Sequence, residues 1–402
     1  MKYLIILGDG MADYPVKSLG GKTPLMVANK PHIDKLAKLG RNGKLKTIPE
    51  DMPTGSAVAN LGVLGYDSHK YFCGRGVLEA ANMGIELSAD DMALRCNIIC
   101  TENGNIKNHS AGHISTEESG ELVKALNEEF AELGVKLYPG LSYKHLLVIP
   151  GGSSKVKCAP PHDYPNVSFK DLLVTPDAEE GVETSELLNK LILQSQEILK
   201  NHPINIARKK AGKDPGNSIW PWSPGTKPTM PTFQELYGLN GAIISAVDLI
   251  NGIGVYAGMD IVKVEGATGL YDTNYEGKAE AAIEALKTHD FVYLHIEATD
   301  EAGHDGNIEL KTKCVEYLDN RVTKYIMENV EKVGDELTIA VLPDHPTPVE
   351  LRTHVRDAVP FIIFNPNLQP DVVQKYDEDE ADKGIYGTLE GVEFIQTLFS
   401  GE

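Results

Sequence analysis

Short runs of apolar residues that end in polar residues recur near both ends of the chain. Such a run is typical of a buried strand in a parallel sheet, with a polar residue at its carboxyl end. Helical spacing of apolar residues occurs between these runs, at residues 278–289 and 308–333. Because strands and helices alternate, we expect an α/β fold with a mostly parallel sheet and helices on both faces. The apolar runs are YLIIL (3–7), FVYLHIEATD (291–300), ELTIAVLPDH (336–345) and VPFIIFNP (359–366).

The middle of the chain, from about residue 74 to residue 232, has a different pattern. It contains two strand-like runs, MALRCNII and HLLVI, and two helix-like segments, TEESGELVKALNEEFAEL and GVETSELLNKLILQSQEILKNH. Residues 212–232 carry five prolines and are interpreted as a connector, packed by Trp220 and Trp222. The length of 402 residues exceeds what one hydrophobic core usually supports. We therefore expect residues 74–232 to form a domain inserted into an outer domain made of residues 1–73 and 233–402.

The charge and composition exclude several classes of function. With 58 Asp and Glu against 38 Lys and Arg, the formal net charge is −20, so binding to nucleic acid or to an anionic membrane surface is disfavoured. The first apolar run is too short for a signal peptide, and no stretch approaches the roughly 18 apolar residues that span a bilayer. The five cysteines are scattered and suggest neither a disulfide framework nor a metal motif. We therefore expect a cytoplasmic protein with buried thiols at Cys96 and Cys100.

Aspartate and histidine residues collect at the predicted strand ends. Ligands bind at the carboxyl ends of strands in open α/β sheets, so these side chains are expected to meet at one edge of the sheet. Helical spacing would also place His304 on the same face as Asp300. A set of carboxylates and imidazoles suits Mn²⁺, Zn²⁺, Co²⁺ or Mg²⁺, and six such ligands with one more could hold two ions. The set consists of Asp9, Asp300, His304, Asp344, His345 and His354.

Ser56 lies in the segment MPTGSAVANLGVLGYD (52–67), just before a helix-compatible apolar run. A serine at the start of a helix has its hydroxyl near free backbone N–H groups and the positive end of the helix dipole. That environment favours an alkoxide or an attached phosphate, and a nearby metal ion would activate the hydroxyl. The same position also suits an ordinary N-cap serine, so both interpretations stay open on local sequence.

Six segments together carry a specific resemblance: GDGMAD, PTGSAVANLGVLGYD, GATGLYDTNYEGKAEA, HIEATDEAGHDG, PDHPTPVELRTH and VPFII. In this order and spacing they are similar to those of the cofactor-independent phosphoglycerate mutase family, in its archaeal-type branch and within the alkaline phosphatase superfamily. The resemblance spans essentially the whole chain. It implies an alkaline-phosphatase-like, mostly parallel sheet sandwiched by helices, interrupted by a smaller inserted α/β domain that handles the substrate.

The resemblance implies a role for each candidate at the sheet edge. Ser56 would be the nucleophile that becomes phosphoserine. The cofactors would be two divalent metal ions, with Mn²⁺ as the first choice and Mg²⁺, Zn²⁺ or Co²⁺ as alternatives. The reaction would interconvert 3-phosphoglycerate and 2-phosphoglycerate in glycolysis and gluconeogenesis, without 2,3-bisphosphoglycerate. A closing second domain would keep water away from the phosphoenzyme. One metal site would consist of Asp300, His304 and His354, and the other of Asp9, Ser56, Asp344 and His345.

The inserted domain supplies candidates for binding the substrate. The segments NHSAGHIS (108–115) and CAPPHDYP (158–165) resemble substrate-binding segments of the family. Asp163, His109 or His113 could move a proton between the glycerate hydroxyls. An arginine could hold the substrate carboxylate through two hydrogen bonds, although each basic residue could equally be a solvated surface charge. The substrate-binding candidates are His109, His113, His162, Asp163, Arg75 and Arg208.

Three further functions stay open. Histidines occupy the SAG segment where arginines are expected, and Asn251 stands where a lysine is expected near the phosphate. HSAGHIS and IWPW-like features also occur in a sub-branch of the family that is proposed to consist of homoserine kinases of threonine biosynthesis. Such a kinase would keep Ser56 and the metal centre but would use ATP as donor and homoserine as acceptor. The sequence has no P-loop motif for binding ATP. The second is a metal-dependent phosphatase, and the third is a non-enzymatic interaction protein. We expect a small phosphorylated substrate as the partner, no nucleic acid or membrane, and a monomer or small homo-oligomer.

Overall fold

The computed structural model describes residues 1–401, and the chain divides into two compact units: unit 1 is Met1–Phe72 with Thr229–Glu402, and unit 2 is Cys73–Pro228. The strands are Lys2–Gly8 (β1), Arg41–Lys46 (β2), Asp91–Glu102 (β3), Asn105–Asn108 (β4), Lys136–Tyr138 (β5), Lys144–Pro150 (β6), Val156–Lys157 (β7), Thr175–Pro176 (β8), Ser218–Thr226 (β9), Gly241–Ile244 (β10), Asp260–Ile261 (β11), Phe291–Ile296 (β12), Leu337–Leu342 (β13), Val359–Phe364 (β14) and Thr388–Glu390 (β15).

The α-helices are Pro24–Val27 (α1), Pro31–Leu39 (α2), Ser56–Val63 (α3), Ser68–Tyr71 (α4), Arg75–Asn82 (α5), Thr116–Phe130 (α6), Val182–Lys200 (α7), Pro203–Lys210 (α8), Phe233–Tyr237 (α9), Asp248–Tyr256 (α10), Tyr275–Leu286 (α11), Ala298–His304 (α12), Ile308–Tyr317 (α13), Lys324–Asn329 (α14) and Glu393–Ser400 (α15). Single turns of 3₁₀ helix occur at Lys17–Leu19, Ala131–Leu133, Phe169–Leu172, Glu179–Gly181, Val330–Val333 and Glu380–Lys383, and a π-helical turn at Leu318–Thr323.

Unit 1 is built on an eight-stranded sheet in the order β11-β10-β12-β1-β13-β14-β2-β15. The strand β1 lies between β12 and β13 and is parallel to both, with Leu7 opposite His295 and Leu342. The strand β14 is antiparallel to both β13 and β2. Every residue of β12 and β13 is buried, as in strands that are covered on both faces. The predicted α/β fold with a mostly parallel sheet is confirmed.

The carboxyl ends of β1, β12 and β13 meet at one edge of this sheet, because the three strands are parallel neighbours. Asp9 follows β1 directly, and Asp344 lies two residues beyond β13. The prediction that the strand run ends at Asp300 is wrong, since β12 ends at Ile296 and Asp300 lies in the first turn of α12. That turn is tied to β1 by the Thr299 hydroxyl, which donates to the carbonyl of Asp9.

Unit 2 contains an antiparallel sheet in the order β4-β3-β6-β5, with β9 also paired to β3. The predicted strands and helices of this region are confirmed by β3, β6, α6 and α7. The connector prediction is wrong for residues 218–226, which form β9. Prolines are tolerated there because β9 pairs with β3 alone and so lies at an edge. Trp220 and Trp222 pack as expected, but they are core residues of the sheet.

The helix predicted over residues 308–333 is helical throughout but not one regular α-helix. A π turn, Leu318–Thr323, separates α13 from α14. In that turn the Thr323 hydroxyl donates to the carbonyl of Leu318. The buried Asp319 accepts hydrogen bonds from the backbone N–H groups of His32 and Ile33, at the start of α2. A side chain of the π turn thus caps another helix.

Two further expectations concern the membrane and the thiols. Among residues 1–401, no helix combines the length and the apolar character needed to cross a membrane. The five cysteines are free thiols, and Cys96 and Cys100 are buried as expected. Burial raises the pKa of the Cys96 thiol, so it is held in the unreactive protonated form.

Candidate metal centre

The first cluster of candidate ligands, Asp300, His304 and His354, lies where α12 meets the loop before β14. Asp300 Oδ2 is 3.2 Å from His304 Nε2, and Asp300 Oδ1 is 3.4 Å from His354 Nε2. The two imidazole Nε2 atoms are only 2.9 Å apart. His304 Nδ1 faces the carbonyl of Arg352 at 3.0 Å, which fixes the orientation of the ring. Helical spacing of Asp300 and His304 was predicted, and α12 confirms it.

The second cluster, Asp9, Ser56, Asp344 and His345, lies at the carboxyl ends of β1 and β13 and the start of α3. His345 Nε2 is 3.2 Å from Ser56 Oγ, 3.4 Å from Asp344 Oδ2 and 3.6 Å from Asp9 Oδ1. The two aspartates and the histidine are fully buried, whereas Ser56 is half-buried. Asp9 Oδ1 is buried without a hydrogen-bond partner. Four potential ligand atoms therefore converge on one small volume.

The geometry of both clusters fits divalent cations. Ligand atoms about 2.0–2.2 Å from a tetrahedral cation are about 3.3–3.6 Å from one another, and most of the distances above fall close to that range. A buried carboxylate oxygen without a donor is an unfavourable arrangement that a cation would relieve. Carboxylate, imidazole and hydroxyl ligands suit Mn²⁺, Zn²⁺, Co²⁺ or Mg²⁺.

The surroundings shift the pKa of the aspartate in opposite directions in the two clusters. Burial, together with the charges of Asp344, Glu297 and Asp300, raises the pKa of Asp9 well above its usual range. Burial also opposes ionisation of Asp300, but hydrogen bonds to His304 and His354 outweigh it and hold the pKa of Asp300 well below its usual range. The same contact with Asp300 raises the pKa of His304 to about 9. In the first cluster, the histidines thus stabilise the ionised form of Asp300. In the second cluster, the ionised carboxylates lack such stabilisation, and a bound cation would supply it.

Ser56 is the first residue of α3, as the sequence predicts. The first backbone N–H groups of a helix have no acceptor within the helix, so an anion is favoured there. The side chain does not act as an N-cap, since Gly55 holds that position and the Ser56 hydroxyl faces His345. The N-cap interpretation is therefore wrong, and Ser56 directs its hydroxyl at the second cluster.

Three of the candidates in unit 2 come together around Tyr143. The ring of His109 is 5.7 Å from that of Tyr143 and 6.1 Å from that of His162, and the ring of His113 is 6.4 Å from Tyr143. His162 also packs on Trp222 at 5.2 Å. Burial lowers the pKa of His109, and the nearby His162 and His113 lower it further. The structure therefore brings the three histidines into one aromatic group.

Asp163 and Arg75 lie beside this group. Asp163 is exposed, and its Oδ1 is 3.5 Å from His162 Nε2. Burial lowers the pKa of His162, with Arg95 and Arg75 acting in the same direction against Asp163. Both candidates are thus within electrostatic reach of a histidine in the group.

The structure does not support Arg208 as a substrate-binding residue, which the sequence analysis had proposed. It is 3% exposed, and its guanidinium already bonds within unit 2. Nε donates to the carbonyl of Asp214 at 2.8 Å, Nη1 to Glu118 Oε2 at 2.5 Å, and Nη2 to the carbonyl of Ala111 at 2.7 Å. These contacts hold the turn at Ala111, whose φ is +48°. Because each of its three nitrogens already donates to a protein oxygen and the side chain is buried, Arg208 is a structural residue and does not fit the predicted role of a clamp for a substrate carboxylate.

The comparisons with known proteins agree on one family. The family model for 2,3-bisphosphoglycerate-independent phosphoglycerate mutase matches residues 37–205. A protein of that name from Methanosarcina acetivorans is 48% identical over 400 residues, which cover 99% of each chain. This chain belongs to the 2,3-bisphosphoglycerate-independent phosphoglycerate mutase family. The resemblance that the six sequence segments carry is thereby confirmed.

Solved structures extend the likeness to the phosphoglycerate mutase fold. A protein from Pyrococcus horikoshii aligns with a TM-score of 0.84 and 32% identity, over 99% of this chain and 96% of the other. A cofactor-independent phosphoglycerate mutase from Thermoplasma acidophilum aligns with a TM-score of 0.69 and 27% identity, over 100% of this chain and 99% of the other. Both alignments include unit 1 and unit 2.

The centre of this family member also contains residues that the sequence analysis missed. Asp9, His295 and Glu297 form a third group of potential ligands. His295 Nε2 lies 2.9 Å from Asp9 Oδ2, and its Nδ1 lies 3.2 Å from Ser245 Oγ. Burial lowers the pKa of His295 to about 3, so the ring is neutral. An ionised Asp9 can only accept, so the hydrogen bond to it requires the proton of His295 on Nε2. His295 falls within the apolar strand run, where its position alone gave no signal.

Asn60 is a second residue that was missed. It lies one helical turn after Ser56, and its Nδ2 donates to Asp344 Oδ2 at 2.7 Å and to the carbonyl of Ser56 at 2.8 Å. Its Oδ1 accepts from the hydroxyl of Tyr293. The spacing of four residues from Ser56 was a usable signal, because it places Asn60 on the same face of the helix.

Proposed function

We propose that this chain interconverts 3-phosphoglycerate and 2-phosphoglycerate through a phosphoserine at Ser56, with two divalent metal ions as cofactors and Mn²⁺ as the first choice. One observation carries the proposal: a serine hydroxyl at a helix start lies 3.2 Å from His345 Nε2 in a cluster with two buried carboxylates. A nucleophile, an anion-favouring helix end and a second ligand cluster are what reversible phosphoryl transfer needs. Family membership supports phosphoglycerate as the substrate and the independence from 2,3-bisphosphoglycerate.

In the proposed mechanism, one cation would be held by Asp300, His304 and His354 and the other by Asp9, Ser56, Asp344 and His345. When bound, the cations neutralise the phosphoryl oxygens and favour ionisation of the serine hydroxyl.

The chain's own residues perform the transfer. Ser56 Oγ loses its proton and forms a bond to phosphorus, while the bond from phosphorus to the glycerate oxygen breaks and that oxygen gains a proton. In the return step the other glycerate hydroxyl loses its proton, attacks phosphorus and releases Ser56 Oγ, which is protonated again. The backbone N–H groups at the start of α3 stabilise the phosphate on Ser56. Asn60 keeps Asp344 oriented through both steps.

Unit 2 is the proposed substrate-handling domain. His109, His113 and His162 form one aromatic group, with Asp163 and Arg75 beside it. We assign to this group the binding of glycerate and the proton transfer between its hydroxyls, for which His109, His113 and Asp163 are the candidates. Retaining glycerate while Ser56 carries the phosphate is what separates a mutase from a phosphatase.

The test is a pair of assays on the Mn²⁺-loaded protein. One receives 3-phosphoglycerate without 2,3-bisphosphoglycerate, and the other receives homoserine and ATP. We expect 2-phosphoglycerate in the first, its loss in Ser56→Ala, and wild-type rates in Ser18→Ala, whose serine is exposed on a 3₁₀ turn. Formation of O-phosphohomoserine alone would contradict the proposal and favour the kinase. Release of inorganic phosphate without 2-phosphoglycerate would favour a phosphatase.

A further inference from the structure

Thr347 connects the two ligand clusters through one hydroxyl group. Thr347 Oγ1 donates to Asp300 Oδ1, in the first cluster, and lies 3.2 Å from His345 Nδ1, in the second. All three side chains are buried, with Thr347 and His345 completely inaccessible. The sequence analysis gave this threonine no role, and the proposed mechanism does not use it.

The number of protons determines the direction of these two hydrogen bonds. A hydroxyl has one proton and two lone pairs, and a carboxylate can only accept. The Thr347 proton therefore goes to Asp300, and Thr347 Oγ1 must accept its second bond from His345 Nδ1–H. A neutral imidazole with the proton on Nδ1 has its lone pair on Nε2. Nε2 is the atom that faces Ser56 Oγ, Asp344 and Asp9.

The backbone of Thr347 is held at its carbonyl oxygen, which meets both α13 and α12. Its carbonyl accepts from Lys311 Nζ at 2.8 Å, and the same ammonium donates to the carbonyl of Ala12 and to Asp13 Oδ2. A side-chain carbon at Gly303 would lie 2.4 Å from the same carbonyl oxygen, so α12 packs directly against this residue. The loops after β1 and β13 are thereby held in one arrangement around the hydroxyl.

We propose that Thr347 is a positioning residue that couples the two metal clusters: its hydroxyl proton orients Asp300, and its lone pair fixes His345 as the Nδ1–H tautomer that presents Nε2 to the second cation. The inference rests on the proposed function only in that both clusters bind cations. It needs neither phosphoglycerate nor turnover.

The first test reads the tautomer directly in the wild-type chain. Metal-free protein labelled with ¹⁵N-histidine is measured by long-range ¹H–¹⁵N spectroscopy, in which the two neutral tautomers give different patterns of ring nitrogen signals. His345→Gln identifies the signals of His345 by their disappearance. We expect the Nδ1–H pattern for His345. The Nε2–H pattern would overturn the inference.

The second test measures Mn²⁺ binding by equilibrium titration of Thr347→Val, Thr347→Ser and Thr338→Val. Loss of a residue that orients metal ligands typically weakens binding about 10–100-fold, and we expect that loss in Thr347→Val and recovery in Thr347→Ser. Thr338→Val is the matched control, because Thr338 is equally buried but lies near the opposite end of β13. Unchanged Mn²⁺ affinity in a folded Thr347→Val would overturn the coupling.

These readouts separate the inference from the proposed function. A chain that binds two Mn²⁺ ions with the expected tautomer but forms no 2-phosphoglycerate would contradict the mutase proposal and leave the role of Thr347 intact. If Thr347→Val does not fold, the wild-type tautomer and the Mn²⁺ affinity of Thr347→Ser decide the question, and a large loss of affinity in that serine variant would overturn the coupling.

Discussion

Replacing Asp9 with asparagine should stabilise the metal-free chain and weaken its stabilisation by metal. Asp9 Oδ2 accepts a hydrogen bond from His295, which the asparagine oxygen can also accept. Asp9 Oδ1 has no hydrogen-bond partner, and it belongs to a ligand cluster that also contains the carboxylate of Asp344. In Asp9→Asn a neutral amide group replaces that oxygen, so a repulsive contact is removed while the packing is kept.

The magnitude follows from the separation of the carboxylates. The ligand atoms of Asp9, Asp344 and His345 lie within 4.8 Å of one another. Two like unit charges at that distance repel by about 3 kcal/mol at an effective dielectric constant of about 20. We therefore expect Asp9→Asn to raise the free energy of unfolding of the metal-free chain by about 1–3 kcal/mol at mildly alkaline pH.

The dependence on pH has a defined sign. The pKa of Asp9 is raised in the folded chain, chiefly by burial and then by Asp344. The folded state therefore binds the proton more tightly than the unfolded state, and the stability of the metal-free chain is highest below the unfolded pKa and falls as the pH rises through the folded pKa. Asparagine does not titrate, so the gain in Asp9→Asn should shrink as the pH is lowered.

The assay is urea unfolding with chelator and with Mn²⁺. A cation at 100 times its dissociation constant adds about 2.7 kcal/mol to the wild-type chain, and the variant should gain much less because it lacks a ligand. Asp382→Asn is the matched control, since Asp382 is exposed beside Lys44 and its loss should change stability by less than about 0.5 kcal/mol. A metal-free Asp9→Asn that is less stable than wild type, or one that Mn²⁺ stabilises fully, would refute this reasoning.

Three further predictions test the surroundings of the centre. Gly10 has a φ of +61°, and a side-chain carbon there would lie 2.5 Å from Asp300 Oδ1; Gly10→Ala should therefore lose Mn²⁺ binding in a titration and about 1–3 kcal/mol in urea unfolding. Burial raises the pKa of Glu378 to about 7, so metal-free stability should fall as pH rises from the unfolded pKa through neutrality, and Glu378→Gln should flatten this slope. Lys311→Met leaves Asp13 buried without its 2.8 Å partner and should cost about 3–5 kcal/mol, measured by urea unfolding and partly recovered by adding Asp13→Asn.

The core strands of unit 1 could be predicted because each is apolar at nearly every buried position. The strands β12 and β13 are almost continuous apolar runs, and both are buried along their whole length. The strand β2 (RNGKLK) was missed because Leu45 is its one apolar residue, although Asn42 is also buried. Asn42 is stabilised there by hydrogen bonds to Asp371 and to the carbonyl of Ala37. These partners are distant in sequence or lie on another element, so no local pattern could reveal the strand.

The candidate ligands could be predicted because parallel neighbouring strands place their ends at one edge. Asp9 and Asp344 follow β1 and β13 closely, so a local pattern located them. Thr347 and His295 were missed because their roles depend on which atom faces which cluster, and that is decided by tertiary packing. Arg208 was overvalued for the same reason, since a basic residue near a loop is expected to be exposed until its acceptors are known.

The net charge of −20 describes the chain as a whole and does not reveal the charge of the candidate metal centre. Within residues 1–401, the basic side chains that lie within 4 Å of the Asp9 and Asp344 carboxylates are those of His295 and His345, and a neutral imidazole does not offset a carboxylate charge. Buried carboxylates without a cation are unfavourable, so binding of divalent ions at this edge of the sheet would stabilise the chain. Three aspartates and two divalent cations sum to a formal charge of about +1, since bound ions dominate the local field. An acidic surface would therefore repel polyanions, while the proposed centre, once loaded with two divalent cations, would attract a small phosphate ester.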